Sequence, residues 1–297
     1  MIIIETKNLT KYYGKYRGVI DLNLEIYEGE IFGYLGPNGA GKTTTIRLLL
    51  DLIKPTRGKA FIFGKDVNKE KNIRAKIGYL PGELSLYDNL TGKEFLIYMG
   101  NLRKKIDFKF MEELSERFNC DLLRPIGTLS HGNKQKIGLL QAFIHRPSLY
   151  ILDEPTLGLD PLIKMEFYKL ISELRRDGNT FFLSSHILPE VERICDRVGI
   201  IKEGKIVAIE KIENLKKKAL RRVEIHFSEK VPIESFSNLP GIKELTQEDN
   251  IIKFTVIGSL DPVIKRSSQF EVINIISHEP SLEEIFMSFY GKSKNGA

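Results

Sequence analysis

The 297-residue sequence contains no run near the ~20 consecutive apolar residues that a membrane-crossing helix requires. Its opening, Met1-Ile2-Ile3-Ile4-Glu5-Thr6-Lys7, lacks a basic start, a long apolar run and a small-residue cleavage site. No secretory leader is expected there, and neither an integral membrane nor a secreted protein. Cysteine occurs only at Cys120 and Cys195, far apart and outside any C-x-x-C pair. That excludes a disulfide scaffold and disfavours a cysteine-based zinc site. The five histidines are scattered, and glutamine occurs only at 135, 141, 247 and 269. Scarce glutamine beside plentiful Lys, Glu and Ile leans toward a thermophile or an AT-rich genome. There is no internal repeat, and no long heptad pattern of the kind that builds coiled coils.

What is present suffices for a folded core. Hydrophobic residues make up 42% and charged residues 28%, outside the disordered range. The length suggests about two domains. The net charge of +6 is spread along the chain. It is compatible with nucleic acid, an acidic membrane surface or phosphate ligands, and it selects none of them.

Residues 1–30 alternate, as in Ile20-Asp21-Leu22-Asn23-Leu24-Glu25-Ile26, which predicts antiparallel strands. Ile31 to Leu35 reads as a short apolar strand, followed by a glycine-rich loop and a helix over about 43–52. Further strands are expected at 59–63, 76–80, 149–152 and 180–184. The 91–119 segment carries a helical pattern, and helices are expected over 131–145 and 162–175. Glu203-Gly204 marks a hairpin turn between strands at 199–202 and 205–209. The basic stretch 211–222 changes the character of the chain. Beyond it, strands at 223–227, 251–257 and 271–277 with helices at 261–268 and 281–290 predict a small α+β domain of split βαβ type.

Two local patterns carry chemistry. Gly36-Pro37-Asn38-Gly39-Ala40-Gly41-Lys42-Thr43 fits G-x-x-x-x-G-K-[ST], with a strand before it and a helix after it. The glycines let backbone N–H groups turn inward around phosphates, and the new helix aims its positive end at them. Lys42 would place a cation on the β- and γ-phosphates, and Thr43 would offer its hydroxyl to Mg²⁺. The second pattern is Leu149-Tyr150-Ile151-Leu152-Asp153-Glu154, an apolar strand ending in two carboxylates. Asp153 suits a water-mediated Mg²⁺ contact. Glu154 would act as general base toward the attacking water, worth about 10²–10⁴-fold in rate. The plain alternative is an acidic pair capping a strand end.

Further segments narrow the choice. Leu129-Ser130-His131-Gly132-Asn133, Phe182-Leu183-Ser184-Ser185-His186, Leu157-Gly158-Leu159-Asp160 and Tyr13-Gly14 occur in fixed order around these two patterns. Together they resemble the signature loop, switch histidine, D-loop and aromatic A-loop of ABC transporter nucleotide-binding subunits, over about residues 1–215. The resemblance implies an α/β P-loop NTPase cassette. It has a RecA-like core, an antiparallel β subdomain and an α-helical insert at about 91–145. A basic linker at 216–222, a C-terminal α+β accessory domain at 223–290 and a tail at 291–297 complete the expected organisation. It further implies two cassettes closing head to tail around two ATP molecules. Tyr13 would stack on adenine, and Gly36 through Thr44 would cradle the phosphates. Ser130, Gly132 and Asn133 of one cassette, with its Asp160, would meet the ATP of the other. His186 would contact the γ-phosphate and the water. His131, His145, His226 and His278 match no motif and are expected to be structural.

Three positions depart from the family pattern. Gly82 stands where a glutamine is usual, in Tyr79-Leu80-Pro81-Gly82-Glu83, and Asn133 and His131 replace Gln and Gly of the signature. Gly82 is expected to loosen coupling between metal binding and the helical insert. The longer segment Leu129-Ser130-His131-Gly132-Asn133-Lys134-Gln135-Lys136, with Tyr79-Leu80-Pro81-Gly82-Glu83 upstream, and the ending Pro280-Ser281-Leu282-Glu283-Glu284-Ile285-Phe286 resemble the ATPases of ABC-2-type export systems. That resemblance implies separate integral membrane permease subunits and a second ABC cassette, as homodimer or heterodimer. The location would be the cytoplasmic face of the membrane, and the exported class drugs, lipids or polysaccharides. The competing class is a non-transport ABC ATPase acting on nucleic acid or the ribosome. The basic stretch permits it, but the absence of coiled-coil heptads and of a second cassette opposes it, so no nucleic-acid partner is expected.

Overall fold

The computed structural model describes residues 1–103, 105–218, 221–278 and 286. The chain divides into two compact units between Ile209 and Glu210.

In the first unit, the alternating N-terminal sequence folds as antiparallel strands Ile2–Tyr13 and Tyr16–Tyr27. They join Arg57–Ile62 and Lys65–Asp66 in one sheet. A second sheet has the order Lys205–Lys211, Arg197–Lys202, Ile31–Leu35, Thr180–Ser185, Leu149–Asp153, Ile77–Leu80. The pairs among its last five strands are parallel. Three of these strands, Ile31–Leu35, Leu149–Asp153 and Thr180–Ser185, are buried at every position. That is why they read as continuous apolar runs rather than alternations. Tyr150 stacks between Phe143 and Phe181 at centroid distances of 4.5 and 4.6 Å. Each such ring contributes about 1.5–3 kcal/mol of burial.

The helical insert contains Gly92–Leu102 and Phe108–Arg117, which divide the expected 91–119 segment in two. A reciprocal Thr91–Glu94 capping box starts the first, and Asp107 caps the second. The Thr91 backbone N–H and hydroxyl hold the Glu94 carboxyl below its usual pKa. The helix His131–Phe143 follows, ending two residues short of the expected 145.

In the second unit, after a helix at Ile212–Lys218, the chain order is strand, helix, strand, strand, helix, strand. Its sheet runs Ile242–Glu248, Ile251–Val256, Arg221–Phe227, Val272–His278, with every neighbour antiparallel. That topology is the split βαβ arrangement. Val223, Ile225, Phe227, Phe236, Ile252, Phe254 and Val263 form its core. The expected linker at 216–222 is in part regular structure. A helix covers Ile212–Lys218, and Arg221 and Arg222 already pair with Val256 and Thr255. The strand Ile242–Glu248 and the short helix Glu234–Ser237 were not expected. The expected helix at 281–290, apart from Phe286, and the tail at 291–297 lie outside the described residues.

Candidate nucleotide-binding site

Four chain segments leave the carboxyl ends of neighbouring parallel strands and meet at one edge of the sheet. They follow Leu35, Leu80, Asp153 and Ser185. Ligands of open α/β sheets sit at this edge.

After Leu35 the chain forms the phosphate loop. Gly39 and Gly41 adopt φ of +77° and +110°, which side-chain-bearing residues rarely adopt. A Cβ on Gly41 would also lie 2.9 Å from the Gly18 carbonyl oxygen. The helix Lys42–Leu49 starts on Gly41 with no side-chain cap, so its first amide groups remain available to an anion. The loop is tied down from outside. Ala40 N–H donates to the Pro37 carbonyl at 3.2 Å, and Gly204 N–H donates to Ala40 at 2.9 Å. Gly36 N–H donates to the Ser185 carbonyl at 3.2 Å.

Lys42 is 6% exposed. Its ammonium donates to the carbonyls of Gly36 at 2.7 Å and Pro37 at 3.2 Å. It also lies 3.2 Å from Glu154 Oε1, an ion-pair distance without hydrogen-bond alignment. The other carboxylate oxygen, Oε2, is 2.9 Å from His186 Nδ1. Thr43 Oγ1 donates to Asp153 Oδ2 at 2.7 Å, and Asp153 is fully buried. Lys42, Thr43, Asp153, Glu154 and His186 therefore form one connected cluster, assembled from three segments.

The cluster opens into a groove of about 240 Å³. Tyr13, Arg17, Gly18, Pro37, Asn38, Gly39, Gly41, Lys42, Thr43, Thr44 and Glu154 line it. Tyr13 is 43% exposed, with the Lys11 ammonium 5.3 Å from its ring centroid. A Cβ on Gly18 would come within 3.0 Å of both Tyr13 Cε2 and Thr44 Cγ2, so only glycine lets these walls close up. Gly36 and Ala40 support the loop from behind. Gly36 lies against Ile201, and Ala40 is 3% exposed.

Ser130, Gly132, Asn133 and Asp160 do not line this groove. Ser130 caps the helix His131–Phe143, taking the Asn133 N–H at 3.4 Å. Asp160 caps Pro161–Arg176, taking the Ile163 N–H at 3.0 Å. Gly132 lies directly on the 157–160 loop, where a Cβ would meet the Gly158 carbonyl oxygen at 2.6 Å.

Sequence reasoning gave no role to three residues here. Arg17 lines the groove on an exposed strand end, where a lone arginine carries no pattern. Gln135, 2% exposed, donates to the carbonyls of Glu154 and Pro155 at 3.5 and 3.2 Å. Ser184 bridges the two carboxylate residues. Gly82 sits over the Asp153 carboxylate, with its ideal Cβ position 3.1 Å from Oδ2. His145 belongs to the core instead. Its Nε2 lies 3.2 Å from the Ile77 carbonyl oxygen and 3.1 Å from Arg103 Nη1. Burial and the Arg103 charge push its pKa down to about 4.

The donors suit the ligands that the motifs imply. The groove combines glycine-shaped backbone, a helix amino end and a buried cation, the equipment for a polyphosphate. The adjoining Thr43 hydroxyl and Asp153 carboxylate are hard oxygen donors, as Mg²⁺ prefers. No group of three or more His, Cys, Asp or Glu that could hold a metal occurs among the described residues.

Comparison with known proteins agrees. Residues 19–157 match the family described as ABC transporter. The chain is 38% identical over 302 residues to the bacitracin transport ATP-binding protein BcrA of Bacillus licheniformis, covering 97% of each. It is 36% identical to the probable multidrug ABC transporter ATP-binding protein YbhF of Escherichia coli, over 72% of this chain and 38% of that protein. A solved ATP-binding subunit of an ABC transporter superposes with a TM-score of 0.67 at 31% identity, over 72% of this chain and 92% of that one. The dimeric post-hydrolysis cassette MJ0796, bound to ADP and Pi, gives 0.63 at 26% identity, over 71% and 99%. The chain is an ATP-hydrolysing ATP-binding subunit and belongs to the ABC transporter family.

Proposed function

We propose that the chain powers an ABC exporter, pairing with a second cassette around two ATP molecules and driving separate membrane permease subunits. The observation that carries the chemistry is the Lys42–Glu154–His186 chain beside the Thr43–Asp153 pair. Tyr13 would take the adenine ring, for which stacking is worth about 1–3 kcal/mol. Backbone amides from Gly36 to Thr44 would hold the phosphates, with Lys42 exchanging its loop carbonyls for phosphate oxygens. Mg²⁺, held by Thr43 and through water by Asp153, would neutralise charge on the β- and γ-phosphates. Glu154 would take the proton of the attacking water. His186 would hold the Glu154 carboxylate through Nδ1, leaving Nε2 to face the γ-phosphate.

One chain presents only half of the ATP surroundings, because Ser130, Gly132 and Asn133 stand off the groove. In a head-to-tail dimer these residues would cover the γ-phosphate of the partner's ATP, again from a helix amino end. The relative MJ0796 is described as a dimer, which supports the pairing. Among the drug-, lipid- and polysaccharide-like compounds that such exporters would carry, the names of BcrA (bacitracin transport) and YbhF (probable multidrug transporter) favour the drug-like class. No helix among the described residues is long and apolar enough to cross a membrane; the pathway would lie in separate integral membrane permease subunits, with this chain at the cytoplasmic face.

Glu154→Gln tests the chemistry. It should bind ATP with near wild-type affinity, lose about 10²–10⁴-fold in turnover and accumulate as an ATP-bound dimer in size-exclusion chromatography. Wild-type turnover in this variant refutes the general-base role. Capture of the tagged protein from detergent-solubilised native membranes tests the transport role. A copurifying polytopic permease supports it, and ribosomal or nucleic-acid-bound partners in its place overturn it.

A further inference from the structure

Ser184 lies inside the Phe182–His186 segment, of which only His186 was given a role, yet both carboxylate residues depend on it. It lies near the end of the strand Thr180–Ser185, is 0% exposed and stands opposite Asp153 in the parallel register. A serine hydroxyl has one proton to give and two lone pairs to accept with. The Ser184 proton goes to Asp153 Oδ1. A lone pair takes the Glu154 backbone N–H at 3.0 Å. One atom thus fixes the side chain of one carboxylate residue and the backbone of the next.

The backbone it holds is unusual. Glu154 has φ of +49°, in the left-handed region where a non-glycine residue is uncommon. This turn ends the strand and brings the Glu154 carboxylate between Lys42 and His186. Asp153 is gripped from both sides, by Thr43 on Oδ2 and by Ser184 on Oδ1. The neighbouring Ser185 is engaged elsewhere. Its Oγ takes the Ile187 N–H at 2.9 Å, and its carbonyl takes the Gly36 N–H. Without the Ser184 hydroxyl, a buried carboxylate oxygen and a buried N–H lose their shared partner, and the Glu154 peptide is released to relax.

We propose that Ser184 is a positioning residue for ATP hydrolysis, setting Asp153 and Glu154 in register with one another through a single hydroxyl. The proposal rests on the roles given above to those two carboxylates. It predicts a loss in turnover rather than in binding, since Ser184 does not line the nucleotide groove.

The test uses the full chain with Ser184→Ala and Ser184→Cys, the second keeping nearly the same shape with only a weak donor. Because small displacements of a reacting group cost up to about a hundredfold, kcat should fall roughly 10- to 100-fold in both. The KM for ATP and the Kd for a fluorescent ATP analogue should stay within about threefold, and the unfolding midpoint of the Cys variant within a few degrees. In the Glu154→Gln background, Ser184→Cys should reduce residual phosphate release by no more than about twofold, as expected for residues acting in one unit. A folded Ser184→Cys protein with wild-type kcat overturns the proposal. So does a loss shared equally by kcat and nucleotide affinity, or an undiminished loss in the Glu154→Gln background. The two failures separate cleanly. Wild-type turnover in Glu154→Gln removes the general-base role itself, whereas an inactive Glu154→Gln beside an active Ser184→Cys removes only the role of Ser184.

Discussion

Gly82→Gln should lower the Mg²⁺ concentration at which turnover is half-maximal. The Gly82 Cα already faces the Asp153 carboxylate, and a Cβ would lie 3.1 Å from Oδ2 and 3.3 Å from Cγ. Asp153 cannot retreat, being fully buried and bonded on both oxygens. The adjustment must come from the loop, where Pro81 and Gly82 are half-buried and Glu83 is exposed. A shift of a few tenths of an ångström there costs about 1 kcal/mol, or roughly 2–4 °C in unfolding midpoint. In return the glutamine amide brings an oxygen beside those of Thr43 and Asp153. One such hydrogen bond to a metal-bound water is worth about 0.5–1.5 kcal/mol, which is roughly 2- to 10-fold in half-saturating Mg²⁺. The assay is phosphate release at saturating ATP with free Mg²⁺ varied. Gly82→Ala is the control, because it carries the close contact without the amide. Identical Mg²⁺ curves for the Gln and Ala variants, or no change from wild type in either, would refute the reasoning.

Other substitutions separate binding from turnover. Gly132→Ala drives a Cβ to within 2.6 Å of the Gly158 carbonyl, pushing the start of the helix His131–Phe143 off the 157–160 loop. Turnover should fall at least about tenfold, while a fluorescent nucleotide still binds the single chain normally; unchanged turnover would show that the two loops move apart without cost. Arg17→Ala should raise the KM for ATP about 3- to 10-fold at low salt and less at high salt, as screening of an exposed cation requires, with kcat unaltered. His145 predicts acid sensitivity. Its folded pKa of about 4 lies below the ordinary 6.5, so the unfolded chain binds the extra proton between these values. Stability therefore falls as pH drops from about 6.5 to 4, by about 2–3 kcal/mol in total. Urea unfolding of wild type and His145→Gln across that window checks it, and parallel curves for the two proteins would remove His145 as the cause.

The conformation of the glycine-rich loop was legible in the sequence because it is local. A loop that turns its own amides toward an anion needs glycines at fixed spacing, and Gly39 and Gly41 stand at positive φ where that spacing put them. The buried parallel strands Ile31–Leu35 and Leu149–Asp153 were legible for a related reason, since burial on both faces leaves largely apolar runs rather than alternation. The strand Ile242–Glu248 was not. Its Lys243-Glu244-Leu245-Thr246-Gln247-Glu248 stretch is rich in helix formers. What makes it a strand is its ladder with Ile251–Val256 at the sheet edge, which no local window contains.

The same distinction explains why Ser184 escaped notice while Asp153 and Glu154 did not. The two carboxylates announce themselves at the end of an apolar run. A serine two residues before a histidine announces nothing until the sheet register sets it beside Asp153, 31 residues away in the chain. The groups proposed to bind phosphate can be read from spacing, because each loop or strand end supplies its own. The hydroxyl that aligns the acid residues for hydrolysis is supplied by the neighbouring strand, and only the order of strands in the sheet brings it there. Sequence spacing therefore speaks for nucleotide binding, whereas the geometry that turns binding into hydrolysis depends on strand pairing and is first visible in the fold.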